Sequence, residues 1–300
     1  MRRTKQICIS RNRKAWLFLA PSLTGTAVFI LIPFADMTAR SFRQAVGGRF
    51  VGLANFRLVL ESQAFLLAVF NTLRFILVCI PVLMAFSLCI AVMIQSCTGQ
   101  ALPADRRGNF YKTSILLPMA IPVASVVLLW KLLFYPQGLL GQLAGLLGLA
   151  GQDWLNQPSA FAILVATYIW KNTGYDMMLW LAGLNAIPQE LYEAARVDGA
   201  GPWQCFCRIT LPGLKGTAFL TAVLSVINSF KVFREAYLVA GDYPHESIYM
   251  LQHLFNNWFV SLDIQKMSAA SVMVEAAVLI PVLACLGAFR RKHPKRSSTD

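Results

Sequence analysis

Six apolar stretches, each near the length that a bilayer demands, constrain this chain more than any other feature. About 20 apolar residues in a helix cross the hydrocarbon core. The runs at about Ala15–Ala35, Phe65–Ile94, Thr113–Leu133, Ser159–Leu184, Gly216–Val239 and Met267–Phe289 are all of that order. In lipid every backbone N–H and C=O must find its partner within the protein, which a helix achieves on its own. The sequence therefore predicts an all-α, polytopic membrane protein with six transmembrane helices. Only 14% of residues are charged and 57% are hydrophobic, against about a quarter charged in soluble domains. The first run has neither the short apolar core nor the small-x-small site of a cleaved signal peptide, so it is read as a retained span.

Charge placement sets the predicted orientation. Arg2, Arg3, Lys5, Arg11, Arg13 and Lys14 precede span one, Arg106, Arg107 and Lys112 lie between spans two and three, and Arg290, Arg291, Lys292, Lys295 and Arg296 follow span six. The segment 38–63, on the opposite side, holds Arg40, Arg43, Arg49 and Arg57. Excess Lys and Arg marks the cytoplasmic face, so both termini are expected inside. The expected layout is a basic tail over residues 1–14, a six-span domain over 15–289 and a second basic tail over 290–300. The net charge of +13 is spent at these ends rather than along one amphipathic face, which argues against a nucleic-acid partner. The surroundings expected are membrane lipid. None of the seven cysteines lies in an expected outer loop, so no disulfide framework is read.

Between spans four and five, about residues 186–215, lies the longest segment mixing both signs of charge. Pro188 suits a first helical turn, Gln189, Glu190 and Glu193 place acceptors near free N–H groups, and Gly199 ends the helix in a left-handed conformation. Gly201-Pro202 starts a second short helix with Trp203, Phe206, Cys207 and Thr210 on one face, and Leu211-Pro212-Gly213 stops it. Two short helices at an angle make a rigid elbow.

The spacing Glu193-Ala194-Ala195, three residues, Gly199, nine residues, Ile209, one residue, Leu211-Pro212 resembles the EAA loop of binding-protein-dependent ABC transporter permeases. Asn185-Ala186-Ile187-Pro188 and Asp198-Gly199-Ala200 are similar to its sugar-transporting branch of maltose and glycerol-phosphate type, and Phe50 to Phe56 also resembles the family. That resemblance implies the MetI-like permease fold and a subunit that imports a sugar or oligosaccharide by alternating access. Implied partners are a second permease subunit, two cytoplasmic ATPase subunits and an extracytoplasmic solute-binding protein. It places the chain in a bacterial cytoplasmic membrane. Glu190, Glu193, Ala194, Ala195, Asp198, Gly199, Ile209, Leu211 and Pro212 are the implied ATPase-coupling residues, with Glu193 meeting basic or polar groups and Ala194-Ala195 allowing close approach. A permease for glycerol phosphate or polyamines would share the elbow, and an ion-coupled secondary transporter is the remaining alternative. The latter is expected to show inverted repeats, and none is found.

No catalytic constellation is present, and no enzyme is expected. The phosphate-binding pattern G-x-x-x-x-G-K-[ST] is absent, so no cofactor is expected in this chain and ATP would belong to the partner ATPases. Three scattered histidines and Cys205-Phe206-Cys207 do not complete a metal site. His245 and His253 are read as ordinary polar residues of an outer loop, Gly241–Ser261. Charges inside spans cost about 2.5–3.5 kcal/mol each at mid-helix on insertion scales, so Lys171, Asp176, Lys231, Arg234, Glu235 and Glu275 each need a partner or a role. One reading has Asn172, Tyr175, Asp176, Asn228 and Lys231 lining a path for a hydroxylated solute. The other has such groups pairing, reaching the surface or facing a second subunit; Glu275 is read as structural.

Overall fold

The computed structural model describes residues 16, 18–98, 106–135, 138–146, 153–232, 236–237 and 244–292. Among these the only bridged extended residues are Arg43 and Phe50; every other regular element is helical. The helices are α1 (Phe18–Ser41), α2 (Ala54–Leu60), α3 (Gln63–Thr98), α4 (Arg106–Ala120), α5 (Val123–Phe134), α6 (Leu139–Leu146), α7 (Ser159–Asn185), α8 (Gln189–Val197), α9 (Pro202–Gly213), α10 (Lys215–Ser229), α11 (Leu251–Val260) and α12 (Ile264–Lys292). By length and apolarity alone, Phe18–Ser41, Gln63–Ser96 and Val123–Leu143 suffice to cross a membrane, and the bent pair α9 and α10 is a fourth candidate. α7 and α12 have the length, 27 and 29 residues. The polar run Lys171 to Asp176 dilutes the apolarity of α7.

The chain divides into two compact units, Met1–Phe65 with Phe255–Asp300, and Leu66–Leu254. In the first, α12 packs against α1 and α2. Most side chains of α1 stay exposed, Phe18 at 84% and Phe29 at 80%, as suits a helix solvated by lipid tails. α1 runs beyond the expected span and closes its last turn with an Asp36–Arg40 pair at 2.6 Å. The chain then turns through Gly47 and Gly48 at φ 79° and 60°. The buried Asn55 closes this loop, its Nδ2 donating to the carbonyls of Ser41 (2.8 Å) and Arg43 (2.9 Å). Asn55→Ala leaves both carbonyls short of a donor and is expected to cost about 1–3 kcal/mol; a lower melting temperature of the purified protein in detergent is the check.

The second unit is built on α3 and α7, which share two apolar clusters. Phe75, Cys79 and Leu83 of α3 meet Phe161, Leu164 and Tyr168 of α7 in one, and Ala91 and Ile94 meet Met177, Trp180, Leu181 and Leu184 in the other. The Trp180 indole donates to Ser87 Oγ at 3.0 Å between these helices. α4 lies close against α7 at Gly174, where an added Cβ would strike the Ile115 carbonyl and sit 2.9 Å from Leu116 Cα.

Four expectations need correction here. Span three, which Pro118 and Pro122 are expected to bend, breaks outright: α4 ends at Ala120, and Pro122, at ψ 140°, caps α5. Pro118 lies inside α4 and does not break it. The segment Gly138–Gly151, expected as a loop, contains α6. In span five, regular helix gives way after Ser229 to a 3-10 turn, Phe230–Val232, and Ala236 and Tyr237 are helical again; Arg234 and Glu235 fall outside the described residues. The segment Gly241–Ser261, expected as an outer loop, holds a 3-10 turn, Glu246–Ile248, and the whole of α11. His253 there is fully buried, stacked 5.8 Å from Tyr249, with Nδ1 accepting the Met250 N–H. Apolar burial of Ile248, Met250, Leu251 and Leu254 draws this segment inward. Its backbone is satisfied from α3: Asn71 Nδ2 donates to the carbonyls of Glu246 and Tyr249, and Thr72 Oγ1 accepts from the Leu251 N–H.

Candidate functional site

The elbow forms as two helices, and hydrogen bonds explain its angle. α8 starts after Pro188, which occupies the capping position at ψ 134° rather than the first turn. It ends in a Schellman motif: the Gly199 N–H donates to the Arg196 carbonyl (3.1 Å) and the Ala200 N–H to the Ala195 carbonyl (2.9 Å). That motif requires Gly199 at φ 78°, a conformation costly to any residue with a Cβ. Gly201 then caps α9, its N–H donating to Gln204 Oε1 at 3.1 Å. A π turn at Phe206–Thr210 adds a residue to the helical repeat. The four residues expected on one face are therefore split: Thr210 is buried, while Cys207 is exposed and Trp203 is 73% exposed. The helix also continues through Leu211-Pro212 to Gly213, and the sharp change of direction, 64°, comes between α9 and α10.

The elbow is exposed outside and anchored inside. No residue of α8 is buried: Glu190, Glu193, Ala194, Asp198 and Gly199 are exposed, Ala195 half-buried, and Val197 is 89% exposed. Three acidic groups thus flank a small-residue surface with an apolar tip. Ile187, Tyr192, Ile209 and Leu214 pack into the second cluster of the α3–α7 core. The Tyr192 hydroxyl lies 2.9 Å from Thr210 Oγ1, joining α8 to α9. Ile187 closes on Gly213, where an added Cβ would lie 2.9 Å from Ile187 Cδ1. Ile209 and Pro212 line a cleft of about 420 Å³ with Pro188 and Leu191, and Leu211 is exposed. Sequence spacing assigns Tyr192 no role; one aromatic hydroxyl on the inward side of an otherwise polar short helix is the signal that marks it.

The solute-path candidates are less uniform. Asp176 is 1% exposed and accepts a hydrogen bond from Ser225 of α10 at 2.8 Å, which ties it to helix packing. Asn172, half-buried, donates to the Tyr168 carbonyl of its own helix at 2.9 Å. Tyr175 is half-buried on the same helix, and Asn228 is half-buried on α10. Lys231 sits in the 3-10 turn, its side chain outside the described residues. Trp180 is a core residue; Trp170, 38% exposed, packs edge-on against Trp130. Among the described residues no three His, Cys, Asp or Glu side chains converge to hold a metal ion.

Known proteins resemble this chain in sequence and in fold. Residues 98–296 match the model of the family described as binding-protein-dependent transport system inner membrane component. The trehalose/maltose transport system permease protein MalF of Thermococcus litoralis is 31% identical over 296 residues, covering 96% of this chain and 98% of that one. The lactose transport system permease protein LacF of Rhizobium radiobacter is 27% identical over 93% of this chain and 94% of its own. The sn-glycerol-3-phosphate transport system permease protein UgpA of Agrobacterium fabrum is 31% identical over 88% of this chain and 90% of its own. In fold, the chain superposes with a TM-score of 0.79 on a bacterial ABC transporter involved in alginate import, at 23% identity over 98% of this chain and 100% of that one. The all-α architecture is thus that of an ABC importer permease, a transport component and not an enzyme. The chain belongs to the family of binding-protein-dependent transport system inner membrane components.

Proposed function

We propose that this chain is one membrane-spanning subunit of an ATP-driven importer that carries a sugar or oligosaccharide inward by alternating access. The observation that carries the reading is the elbow: two exposed short helices, fixed at Gly199 and seated on the core that links α3 and α7. In this reading the elbow faces the cytoplasm and docks on one of two ATPase subunits through Glu190, Glu193, Ala194, Ala195 and Asp198, with Gly199 setting the angle. Ile209, Leu211 and Pro212 brace the second helix. ATP is bound by those subunits, and this chain holds no cofactor.

Six spans, with basic tails 1–14 and 290–300 both cytoplasmic, place the elbow and the Lys/Arg excess on one side. The second membrane subunit is a different permease, and an extracytoplasmic binding protein delivers the solute. Asn172, Tyr175, Asn228 and Lys231 line the path, while Asp176 serves mainly to hold α10. The sugar assignment is supported by relatives named for trehalose/maltose and lactose transport. Others are named for sn-glycerol 3-phosphate, so the solute class needs a direct test. Proteoliposomes of the purified complex, loaded with ATP and supplied with its binding protein, are given labelled maltose, trehalose, lactose, sn-glycerol 3-phosphate and spermidine. ATP-dependent uptake of one or more of the sugars is the expected result. Uptake of glycerol phosphate or spermidine alone overturns the sugar assignment, and uptake driven by an ion gradient without ATP overturns the importer.

A further inference from the structure

Three contacts join the chain entering the elbow to the chain leaving it, in antiparallel order. Deepest in the bundle, Ser225 of α10 donates to the Asp176 carboxylate of α7 at 2.8 Å, and both residues are 1% exposed. Nearer the elbow, Gly183 of α7 lies under Thr217 of α10, so close that an added Cβ would sit 2.8 Å from Thr217 Cβ. Within the elbow, Tyr192 of α8 meets Thr210 of α9 at 2.9 Å. From Asp176 to Gly183 to Tyr192 the positions ascend, while from Ser225 to Thr217 to Thr210 they descend. Each step is seven to nine residues along the chain. This is the pattern of an antiparallel pair fastened at regular intervals from the middle of the bundle to its exposed end.

We infer that α7, the elbow and α10 form a single lever, and that Asp176 and Ser225 are positioning residues that pin its inner end. The inference rests on the coupling role proposed for the elbow and adds how motion there reaches the spans. If α7 and α10 slid past one another, a push on α8 would be absorbed at the 64° bend between α9 and α10. The outer two contacts cannot prevent that alone, because both lie at or beside the elbow. A buried carboxylate is a costly way to hold two helices, since apolar residues of similar shape would pack at less expense. What the carboxylate adds is one fixed register: a hydroxyl either meets it or leaves it buried without that donor, with nothing between.

The test uses the intact complex in lipid nanodiscs, with spin labels at Met178 of α7 and Ile227 of α10, both exposed. The background lacks native cysteines and is first shown to retain ATP hydrolysis. Distances are measured by pulsed electron resonance with no nucleotide and with ATP plus vanadate. The unmodified pair should give one distance population, unchanged by nucleotide. Asp176→Ala and Ser225→Ala should each introduce a second, nucleotide-dependent population, and Asp176→Asn, whose amide oxygen still accepts from Ser225, should restore the single one. Asp176→Ala and Ser225→Ala giving the unchanged single population would overturn the lever, as would a nucleotide-dependent change with Asp176 and Ser225 intact. A complex with no bound ATPase would instead overturn the coupling role beneath it.

Discussion

Replacing Gly199 with proline is expected to abolish uptake while leaving the protein inserted at its normal level. Proline fixes φ near −65°, whereas Gly199 stands at φ 78°. The substitution also removes the N–H that donates to the Arg196 carbonyl at 3.1 Å. The Schellman motif cannot form, and α9 leaves α8 in another direction. Because Gly199 is exposed and remote from both apolar clusters, the spans have no reason to unfold. Gly199→Ala separates conformation from bulk, since a Cβ there meets nothing within 4 Å. Its effect should therefore be only the left-handed strain, about 1 kcal/mol, seen as reduced uptake. Uptake by vesicles, normalised to the membrane content of each variant, is the measurement.

Glu193→Lys should have the second largest effect, through charge and not shape. Glu193 is exposed on a helix that buries none of its residues, so reversing its charge leaves the fold alone. It would place a cation where the coupling reading expects basic or polar groups of the ATPase. Like charges brought together across an interface cost several kcal/mol. Weakening of ATPase binding by about a hundredfold, or roughly 2.7 kcal/mol, is expected, with Glu193→Gln intermediate. Titration of the purified ATPase against detergent-solubilised permease reads this directly, and rising salt should narrow the gap between the variants.

How much of this is legible in the sequence depends on whether the cause is local. Gly199 was legible because one residue type suits a left-handed helix end, and its bonds run only three to five residues back. Ser159–Leu184 was legible because a long apolar run leaves few other options; α7 ends one residue later, at Asn185. A bend in span three is legible from Pro118 and Pro122, but which proline breaks the helix is not, because Pro81 and Pro118 sit inside unbroken helices. Nothing local distinguishes the three prolines. The inward packing of Glu246–Leu254 is also hidden. Gln252 and His253 interrupt its apolar residues, and its backbone partners, Asn71 and Thr72, lie about 180 positions away in the chain. The same holds for Asp176: its residue type announced a cost, and only the structure gives Ser225 as what meets it. The face expected on α9 failed for a geometric reason, since the π turn at Phe206–Thr210 breaks the 3.6-residue spacing on which it was read.

The proposed function requires the elbow to hold an ATPase to this subunit. The most direct measurement is to tag the C-terminus, solubilise the membrane gently and identify by mass spectrometry what co-purifies, with Glu193→Lys carried beside the unaltered chain. Recovery of a second permease and an ATPase, with the ATPase depleted from the variant and the second permease retained, is the predicted result. A chain that purifies without any ATPase, or a complex whose ATPase is equally abundant in the variant, would contradict it.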